Sequence, residues 1–398
     1  MTFKMKFDIV ISGAGPAGSK CAEVIAKAGY KVALIEKDVN YRKPCGGGIP
    51  RGSIFEYYPQ LRSLGLITKN AIYMYSADYH KLEHTYEESR TSAIVIDRLE
   101  FDNLVRNVAI EAGVELFDKN MSYDFEYKNK QKIGIKTKTS SGTKEYYGNI
   151  IIIADGMSSK LAYRSGLRGK WKPLDIGIGK AQILEGKTNL NERGTYFFFK
   201  DYGYNWIFPM NNQRFNIGAI TYHENNLNHN INDLYKDFLI DMRNRDLLLK
   251  NEYEVIWSAS FPEPASGVLE KSLYDDNLLV IGDAAGFVAP ISGEGIHGAI
   301  VSGQIAGETS INALEIDDFT KNTLKEFKKH SRIKKLIRIF KFQSKFVNFI
   351  YENAGENLNK AFKKSEESLE FKETMINSFI FGRTPPKNFI SEIRNIKS

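Results

Sequence analysis

The sequence predicts an α/β protein with a Rossmann-type dinucleotide-binding domain, an inserted antiparallel β-sheet domain and C-terminal helices. Three observations support this: a glycine fingerprint between two apolar strands near the start, two later apolar strands that end beside an aspartate, and alternating apolar runs between those two strands. The 398 residues, 42% of them hydrophobic, provide two or three domains with buried cores. This composition excludes a disordered or fibrous protein.

The first element is a βαβ unit. A β-branched strand leads into Gly13, Gly15 and Gly18 at the GxGxxG spacing, then into a helical pattern and a second strand that ends in Glu36. Gly13 permits a tight turn, Gly15 lets backbone N–H groups approach a pyrophosphate, and Gly18 allows close helix–strand packing. Glu36 is placed to accept a hydrogen bond from a ribose hydroxyl. The pattern predicts a dinucleotide site; a glycine-rich turn without a ligand is the alternative.

Two later segments share the pattern of an apolar strand that ends in an acid. One strand leads into Asp155, and another leads into Asp283, which is followed by a second glycine-rich helix start at residues 293–298. Together with Arg98, these segments resemble the FAD-binding pattern of the flavoprotein hydroxylase and reductase superfamily, in the same order along the chain. The resemblance implies that the cofactor is FAD.

The glycine fingerprint, the superfamily resemblance and the glycine-rich run at residues 43–50 together predict a set of cofactor-binding residues. They are Gly13, Gly15, Ala17, Gly18, Glu36, Cys45, Gly46, Gly47, Arg98, Asp155, Asp283, Gly295 and Ile296. Two of them have a second interpretation. Arg98 could form a surface salt bridge with Asp102, and Asp155 could be a turn residue, because Ala162 replaces the arginine that usually follows it in the superfamily.

Two motifs narrow the class of substrate. The run KPCGGGIP at residues 43–50 and the run YNWIFP at residues 204–209 resemble the geranylgeranyl reductase family, which saturates isoprenoid double bonds. Gly218 follows at a fitting distance, but Ile220 stands where the family's second glycine is usual. The resemblance implies the following substrate-binding residues: Tyr204, Trp206, Phe208, Pro209 and Gly218. It also implies that Cys45 faces the flavin.

The residue pattern itself supports an apolar ligand. On a strand, Tyr204, Trp206 and Phe208 share one face, which suits a long apolar chain, although the same stripe is also what ordinary sheet core requires. Cys45 is the candidate catalytic residue; an inert cysteine in a flexible loop is the alternative. An isolated alkene is not electrophilic, so hydride transfer from reduced flavin requires a proton, which we expect from the side of Cys45 or from the flavin.

Three functions fit these features. The first is an FAD-dependent reductase that saturates geranylgeranyl chains, in archaeal-type membrane glycerophospholipids. The second is an FAD-dependent monooxygenase on the same scaffold, and the third is a lipid-binding protein with a vestigial flavin site. The Cys45 loop and the Trp206 motif favour the first over the second, and the intact glycine segments argue against the third.

The predicted FAD-binding domain comprises residues 1–50, 91–165 and 266–310. Residues 51–90 and 166–265 form the predicted substrate domain, and residues 311–398 form a helical C-terminal region. A second nucleotide fingerprint is missing, because Gly177 and Gly179 are followed by Gln182 where a third glycine is required. Electrons are therefore expected from transient contact with NAD(P)H or a ferredoxin-like protein.

The net charge of +7 is concentrated in one segment. Between Lys321 and Lys345 there are ten basic residues and one acid, a local charge of +9, so the rest of the chain sums to −2. This distribution argues against nucleic acid as a partner. We expect an amphipathic basic helix in peripheral contact with a membrane; a solvated face over ordinary core and a contact for an acidic redox protein are alternatives.

Composition also bears on the compartment. Two cysteines cannot build a disulfide framework and make a zinc cluster improbable. No signal peptide pattern precedes the first strand, and the apolar stretch from Leu278 to Gly307 is interrupted by charges and glycines. We therefore expect a cytoplasmic protein, with peripheral contact at the inner face of the membrane.

Overall fold

The computed structural model describes residues 5–50, 54–87, 93–222, 225–268, 273–351, 356–379 and 388–396. Its strands are β1 (Met5–Lys6), β2 (Ile9–Ser12), β3 (Val32–Ile35), β4 (Gly48–Pro50), β5 (Thr68–Lys69), β6 (Ala71–Tyr75), β7 (Lys81–Thr85), β8 (Ala93–Val95), β9 (Glu115–Phe117), β10 (Met121–Lys128), β11 (Gln131–Thr139), β12 (Gly142–Tyr147), β13 (Ile150–Ile153), β14 (Ile176–Thr188), β15 (Gly194–Lys200), β16 (Gly203–Pro209), β17 (Arg214–Tyr222), β18 (Leu248–Pro264), β19 (Tyr274–Asp275) and β20 (Leu278–Val280).

The helices in the same residues are α1 (Pro16–Lys27), α2 (Ile54–Tyr57), α3 (Arg98–Glu111), α4 (Lys160–Arg164), α5 (Asn225–Asn228), α6 (Ile231–Asn244), α7 (Ile296–Glu315), α8 (Lys321–Leu324), α9 (Glu326–Lys329), α10 (Ser331–Tyr351), α11 (Glu356–Glu367), α12 (Leu369–Phe379) and α13 (Phe389–Arg394). Short 3₁₀ turns lie at Pro59–Leu64, Pro173–Asp175 and Gly282–Ala285.

A six-stranded sheet in the order β19-β20-β13-β2-β3-β9 forms the dinucleotide-binding fold. The strands from β20 to β9 are parallel, and β19 is an antiparallel edge strand. All four residues of β13 are fully buried, as expected for a parallel sheet covered on both faces. Gly303 of α7 lies against the backbone of α1, where a Cβ would be 2.4 Å from the Ala17 carbonyl oxygen. The predicted α/β fold class is confirmed.

A second sheet has seven strands in the order β18-β14-β17-β16-β15-β6-β7. The pairs from β18 to β15 and the β6–β7 pair are antiparallel, and β15 and β6 pair in parallel. One face packs against α6 through Tyr235, Phe238 and Met242. The other face, which carries Trp206, packs against the C-terminal helices through residues such as Phe362. The sheet is therefore covered on both sides.

Two smaller sheets do not stand out in the sequence. One has the order β1-β12-β11-β10, and the other has the order β4-β8-β5. The strands of the second sheet have two or three residues each. Alternation over two or three residues carries no signal, so the pairing of the strands in the second small sheet depends on neighbouring elements.

The basic segment forms three helices, α8, α9 and α10, and the expectation of one amphipathic helix is wrong. The chain turns at Lys325 and again at His330. Within α10, the apolar residues Ile333, Leu336 and Phe340 are buried in the core. Their face is therefore occupied by protein. None of the helices in the described ranges has an apolar stretch long enough to cross a bilayer.

Candidate functional site

The turn between β2 and α1 forms the first wall of the candidate site. Gly13 has a φ of 100°, and a Cβ there would lie 2.4 Å from the Ala154 carbonyl oxygen. A Cβ on Gly18 would lie 1.9 Å from the Gly13 carbonyl oxygen, so α1 packs directly on the turn. Gly15 is the N-cap of α1 and faces open space, with no described atom within 4 Å of such a Cβ. The helix start is therefore accessible to an anionic ligand.

Two acidic residues flank this turn. Glu36, directly after β3, accepts hydrogen bonds from the N–H groups of Ala14 at 2.8 Å and Asp38 at 3.1 Å. Asp155 follows β13, and its Oδ1 atom is buried without a hydrogen-bond partner among the described residues. Burial raises the pKa of Asp155 to about 6, against a hydrogen bond from Ser159 that lowers it. A hydroxyl of a bound ligand would satisfy this oxygen.

These residues line a cavity of about 400 Å³, a volume typical of small-molecule sites. The predicted residues in its wall are Gly13, Gly15, Ala17, Glu36, Arg98, Asp155 and Asp283. The remaining predicted cofactor residues lie outside the described wall: Gly18, Cys45, Gly46, Gly47, Gly295 and Ile296. The structure thus brings together the ends of β2, β3 and β13 with α3 and the Gly282–Ala285 turn.

Two ion pairs lie in the cavity wall. Lys43 forms an ion pair with Asp283, which lies in the Gly282–Ala285 turn. Arg98 and Asp102 are both buried and form three hydrogen bonds of 3.0 to 3.1 Å, so their pair is not the surface salt bridge of the alternative interpretation. Burial by itself lowers the pKa of both Lys43 and Arg98, because it disfavours the charged form. The Asp283 carboxylate nevertheless raises the pKa of Lys43, and Asp102 raises the pKa of Arg98.

The loop that carries Cys45 is fixed to the second sheet. Asn216 of β17 donates a hydrogen bond of 2.9 Å to the Cys45 carbonyl oxygen, and its own Oδ1 accepts one of 2.8 Å from the indole N–H of Trp206. The close packing requires glycine at position 46, because a Cβ on Gly46 would lie 2.9 Å from the Phe208 ring. Gly47 donates its N–H to Cys45 Sγ at 3.4 Å. The loop therefore joins the cavity to the aromatic strand.

A second glycine-rich loop leads into α7. Glu294 Oε1 accepts the N–H of His297 at 2.7 Å in the first turn of the helix. Burial raises the pKa of Glu294 to about 7, although the backbone hydrogen bonds lower it. A Cβ on Gly295 would lie 3.1 Å from Asp283 Oδ1, so this loop and the Gly282–Ala285 turn are in contact. Ile296 is the first residue of α7 and is buried.

The predicted substrate residues form a buried aromatic row. Tyr204, Trp206 and Phe208 share one face of β16, as predicted, and all three belong to the core that the C-terminal helices cover. Pro209 pairs with Phe215 at the end of the strand. A Cβ on Gly218 would lie 2.1 Å from the Trp206 ring, so glycine makes room for the indole. The aromatic row is core in this structure, and its role in substrate binding stays a prediction.

Several residues of the site were not anticipated. Lys43 begins the predicted run at residues 43–50, and Asn216 lies two residues before Gly218. Nothing in the sequence pairs either residue with its partner across more than 100 positions. Arg106 donates to the Val39 carbonyl oxygen at 2.7 Å and lines the cavity. Its position about two turns along α3 carries no motif. Glu263 was also missed, because it lies in an alternating strand where acidic residues usually face solvent.

The fold and this site together define a Rossmann-type flavoprotein oxidoreductase with an inserted antiparallel sheet. The Thi4 family model matches residues 1–149. The structure of a geranylgeranyl bacteriochlorophyll reductase-like protein from Thermoplasma acidophilum matches with a TM-score of 0.84 at 22% identity, over 99% of this chain and 100% of that one. A flavin-dependent brominase matches with a TM-score of 0.75 at 19% identity, over 98% of both chains. These likenesses show the fold.

Sequence similarity shows the family. The chain is 32% identical over 348 residues to the digeranylgeranylglycerophospholipid reductase of Methanocaldococcus jannaschii. This match covers 81% of each protein. It is 30% identical over 363 residues to digeranylgeranylglycerophospholipid reductase 2 of Methanococcoides burtonii, covering 88% of this chain and 86% of that protein. The chain belongs to the digeranylgeranylglycerophospholipid reductase family, and the resemblance to geranylgeranyl reductases is confirmed.

Proposed function

We propose that this protein is an FAD-dependent reductase that saturates isolated double bonds of geranylgeranyl chains, in archaeal-type membrane glycerophospholipids. Family membership supports the reaction. The observation that carries the proposal is the loop of Cys45, which adjoins the dinucleotide cavity at Lys43 and is bonded to the aromatic strand through Asn216. A reductase of this type needs a redox cofactor and an apolar chain side by side.

The residues of the cavity fit FAD. Gly15 leaves open space for a pyrophosphate at the start of α1, Glu36 is placed for a ribose, and the unpartnered Asp155 oxygen is available to a hydroxyl. Asp283 would contact the ribityl chain once Lys43 moves away. Arg98 stays fixed by its ion pair with Asp102. When bound and reduced, the flavin supplies a hydride.

For the substrate, we propose that the lipid chain lies along the aromatic row, from Phe208, next to Gly46 and Cys45, to Tyr204. Gly46 contacts Trp206 and Phe208, so the loop already packs on these rings, and an apolar chain would lie beside this contact, against the edge of both. Displacing water from such a site strengthens every polar interaction inside it. Substitution of Cys45 by serine with unchanged FAD content and unchanged reduction in a single turnover would exclude a chemical role of this thiol.

The reaction is tested with dithionite-reduced protein and a geranylgeranyl glycerophospholipid under anaerobic conditions. Mass spectrometry is expected to show the gain of one H2 for each saturated double bond. The fold is shared with a flavin-dependent brominase, so the monooxygenase alternative is tested in the same preparation. Oxygen consumption that depends on the lipid, with oxygen inserted in the product, would refute the reductase and support the monooxygenase.

We further propose that the exposed basic face of α10 makes the peripheral contact with an anionic membrane surface. The exposed residues at helical spacing are Lys334, Lys335, Arg338, Lys341 and Lys345. Because the apolar face of α10 is buried, this contact is electrostatic and sensitive to salt. Retention on anionic vesicles at low salt, lost when Lys334 and Arg338 are changed to glutamate, is the expected result. Binding of an acidic ferredoxin by the same face, without vesicle binding, would identify it as the donor contact.

We also propose the division into a discontinuous FAD-binding domain, an inserted substrate domain and a C-terminal helical region as the functional organisation. The strands of the parallel sheet come from residues 9–35, 115–153 and 274–280, and those of the seven-stranded sheet come from residues 71–85 and 176–264. This composition of the two sheets supports the proposed boundaries. NAD(P)H or a ferredoxin-like protein remains the proposed source of electrons.

A further inference from the structure

Glu263 is a half-buried acid on the face of the second sheet that carries the aromatic row. It lies near the end of β18, opposite Gly177 of β14, and Gly177 in turn pairs with Tyr222 of β17. Residues paired in this way point to the same face of an antiparallel sheet. Tyr222 belongs to the core that contains the aromatic row, so Glu263 shares the face of Tyr204.

The carboxyl group of Glu263 reaches the second glycine-rich loop. A Cβ on Gly293 would lie 2.3 Å from Glu263 Oε1, so the carboxyl rests on the glycine backbone. In the same place, the hydroxyl of Tyr204 donates a hydrogen bond of 2.5 Å to the carbonyl oxygen of Ser292. Phe261 and Pro262, directly before Glu263, line the dinucleotide cavity. Glu263 therefore lies behind the cavity wall, between the aromatic face and the loop before α7.

The Oε1 atom of Glu263 is buried and has no hydrogen-bond partner among the described residues. The charged groups that face it are Lys43, from the Cys45 loop, and Asp283, from the Gly282–Ala285 turn, and these two are paired with each other. Burial raises the pKa of Glu263 to about 8; Lys43 lowers it and Asp283 raises it further. At neutral pH the carboxyl therefore holds a proton that no acceptor in the described residues takes up.

The other titratable side chains near the loop already make hydrogen bonds, either as acceptors or as donors to the backbone. Glu294 accepts the N–H of His297, and the proton of the Tyr204 hydroxyl is donated to Ser292. Cys45 Sγ accepts the N–H of Gly47 and a hydrogen bond from Arg98. Glu263 differs from all of them, because its buried Oε1 has no hydrogen-bond partner among the described residues.

We propose that Glu263 is a catalytic acid that delivers the proton completing each double-bond reduction. The step rests on the proposed function. As the π bond breaks, one carbon forms a C–H bond with the hydride, and the other forms a C–H bond with the proton of Glu263 while its O–H bond breaks. The product is a saturated C–C bond, the hydride is the one that a bound reduced flavin would supply, and the carboxylate is reprotonated by solvent. Two electrons per bond come from NAD(P)H or a reduced ferredoxin through the flavin.

The test compares FAD-loaded wild type with Glu263→Gln, which keeps the shape of the neutral acid and removes its transferable proton. Glu254→Gln, an exposed residue of the same strand, is the matched control. In anaerobic single turnovers with a geranylgeranyl glycerophospholipid, Glu263→Gln is expected to slow reoxidation of the reduced flavin by about 10²- to 10⁴-fold, as for loss of a general acid. FAD content and the rate in Glu254→Gln are expected to match wild type.

A second readout does not depend on turnover. Infrared spectra of the FAD-loaded protein are expected to contain a carboxylic-acid C=O band that disappears as pH rises through about 8 and is missing in Glu263→Gln. An unchanged band, or lipid reduction by Glu263→Gln at the wild-type rate, would overturn the role of Glu263 but not the proposed function. A wild-type protein that does not reduce the lipid would overturn the proposed function and this reaction step with it, even if the band is present.

Discussion

Asn216 offers a sharp test of how the Cys45 loop is held. Its side chain is buried and connects the Trp206 indole N–H to the Cys45 carbonyl oxygen through bonds of 2.8 and 2.9 Å. Replacement by alanine leaves one buried donor and one acceptor without a partner. Each unsatisfied group costs roughly 1–3 kcal/mol, so Asn216→Ala is expected to lower the free energy of unfolding by about 2–6 kcal/mol. A urea titration measures this loss.

The same substitution is expected to free the loop. The chain has two cysteines, and Cys21 is fully buried, so the fast reaction with a thiol reagent reports Cys45. Loss of about 1.4 kcal/mol of loop stability would raise that rate about tenfold. Asn205→Ala is the matched control, because Asn205 is equally buried but bonds to Tyr202 on the other face. Equal reactivity of Cys45 in both variants would refute the proposed anchor.

Two further predictions concern the first glycine turn and the pH dependence of stability. Gly18→Ala places a Cβ 1.9 Å from a backbone oxygen and is expected to lower the melting temperature of the apoprotein. Gly15→Ala places a Cβ in open space, so it is expected to reduce FAD retention without lowering that melting temperature. Equal melting temperatures for the two apoproteins would contradict this. Glu263 has a folded pKa of about 8 and an ordinary value of 4.5, so its contribution to stability is present below 4.5 and is lost as pH rises through about 8. Relative to Glu263→Gln, wild type should therefore lose stability across this range; a constant difference in melting temperature from pH 5 to 9 would refute the shift.

The sequence by itself determined the dinucleotide half of the protein. Gly13, Gly15 and Gly18 act over a few residues, through turn geometry and the approach of one helix to one strand, so their spacing alone predicts their surroundings. The period-2 placement of Trp206 and Phe208 on one face also follows from local backbone geometry. Family resemblance then supplied the expected cofactor and reaction, and the comparisons confirmed the family.

Only the tertiary structure decided which distant groups meet. Asn216 reaches Cys45 across 171 positions and Lys43 reaches Asp283 across 240, and no local pattern specifies such pairs. It also decided burial: the apolar side of α10 lies in the core, although its spacing suits a membrane equally well. The same holds for Glu263, whose Oε1 atom is buried because the second sheet packs against the loop before α7. Long-range packing excludes water from such groups, and sequence spacing does not encode that exclusion.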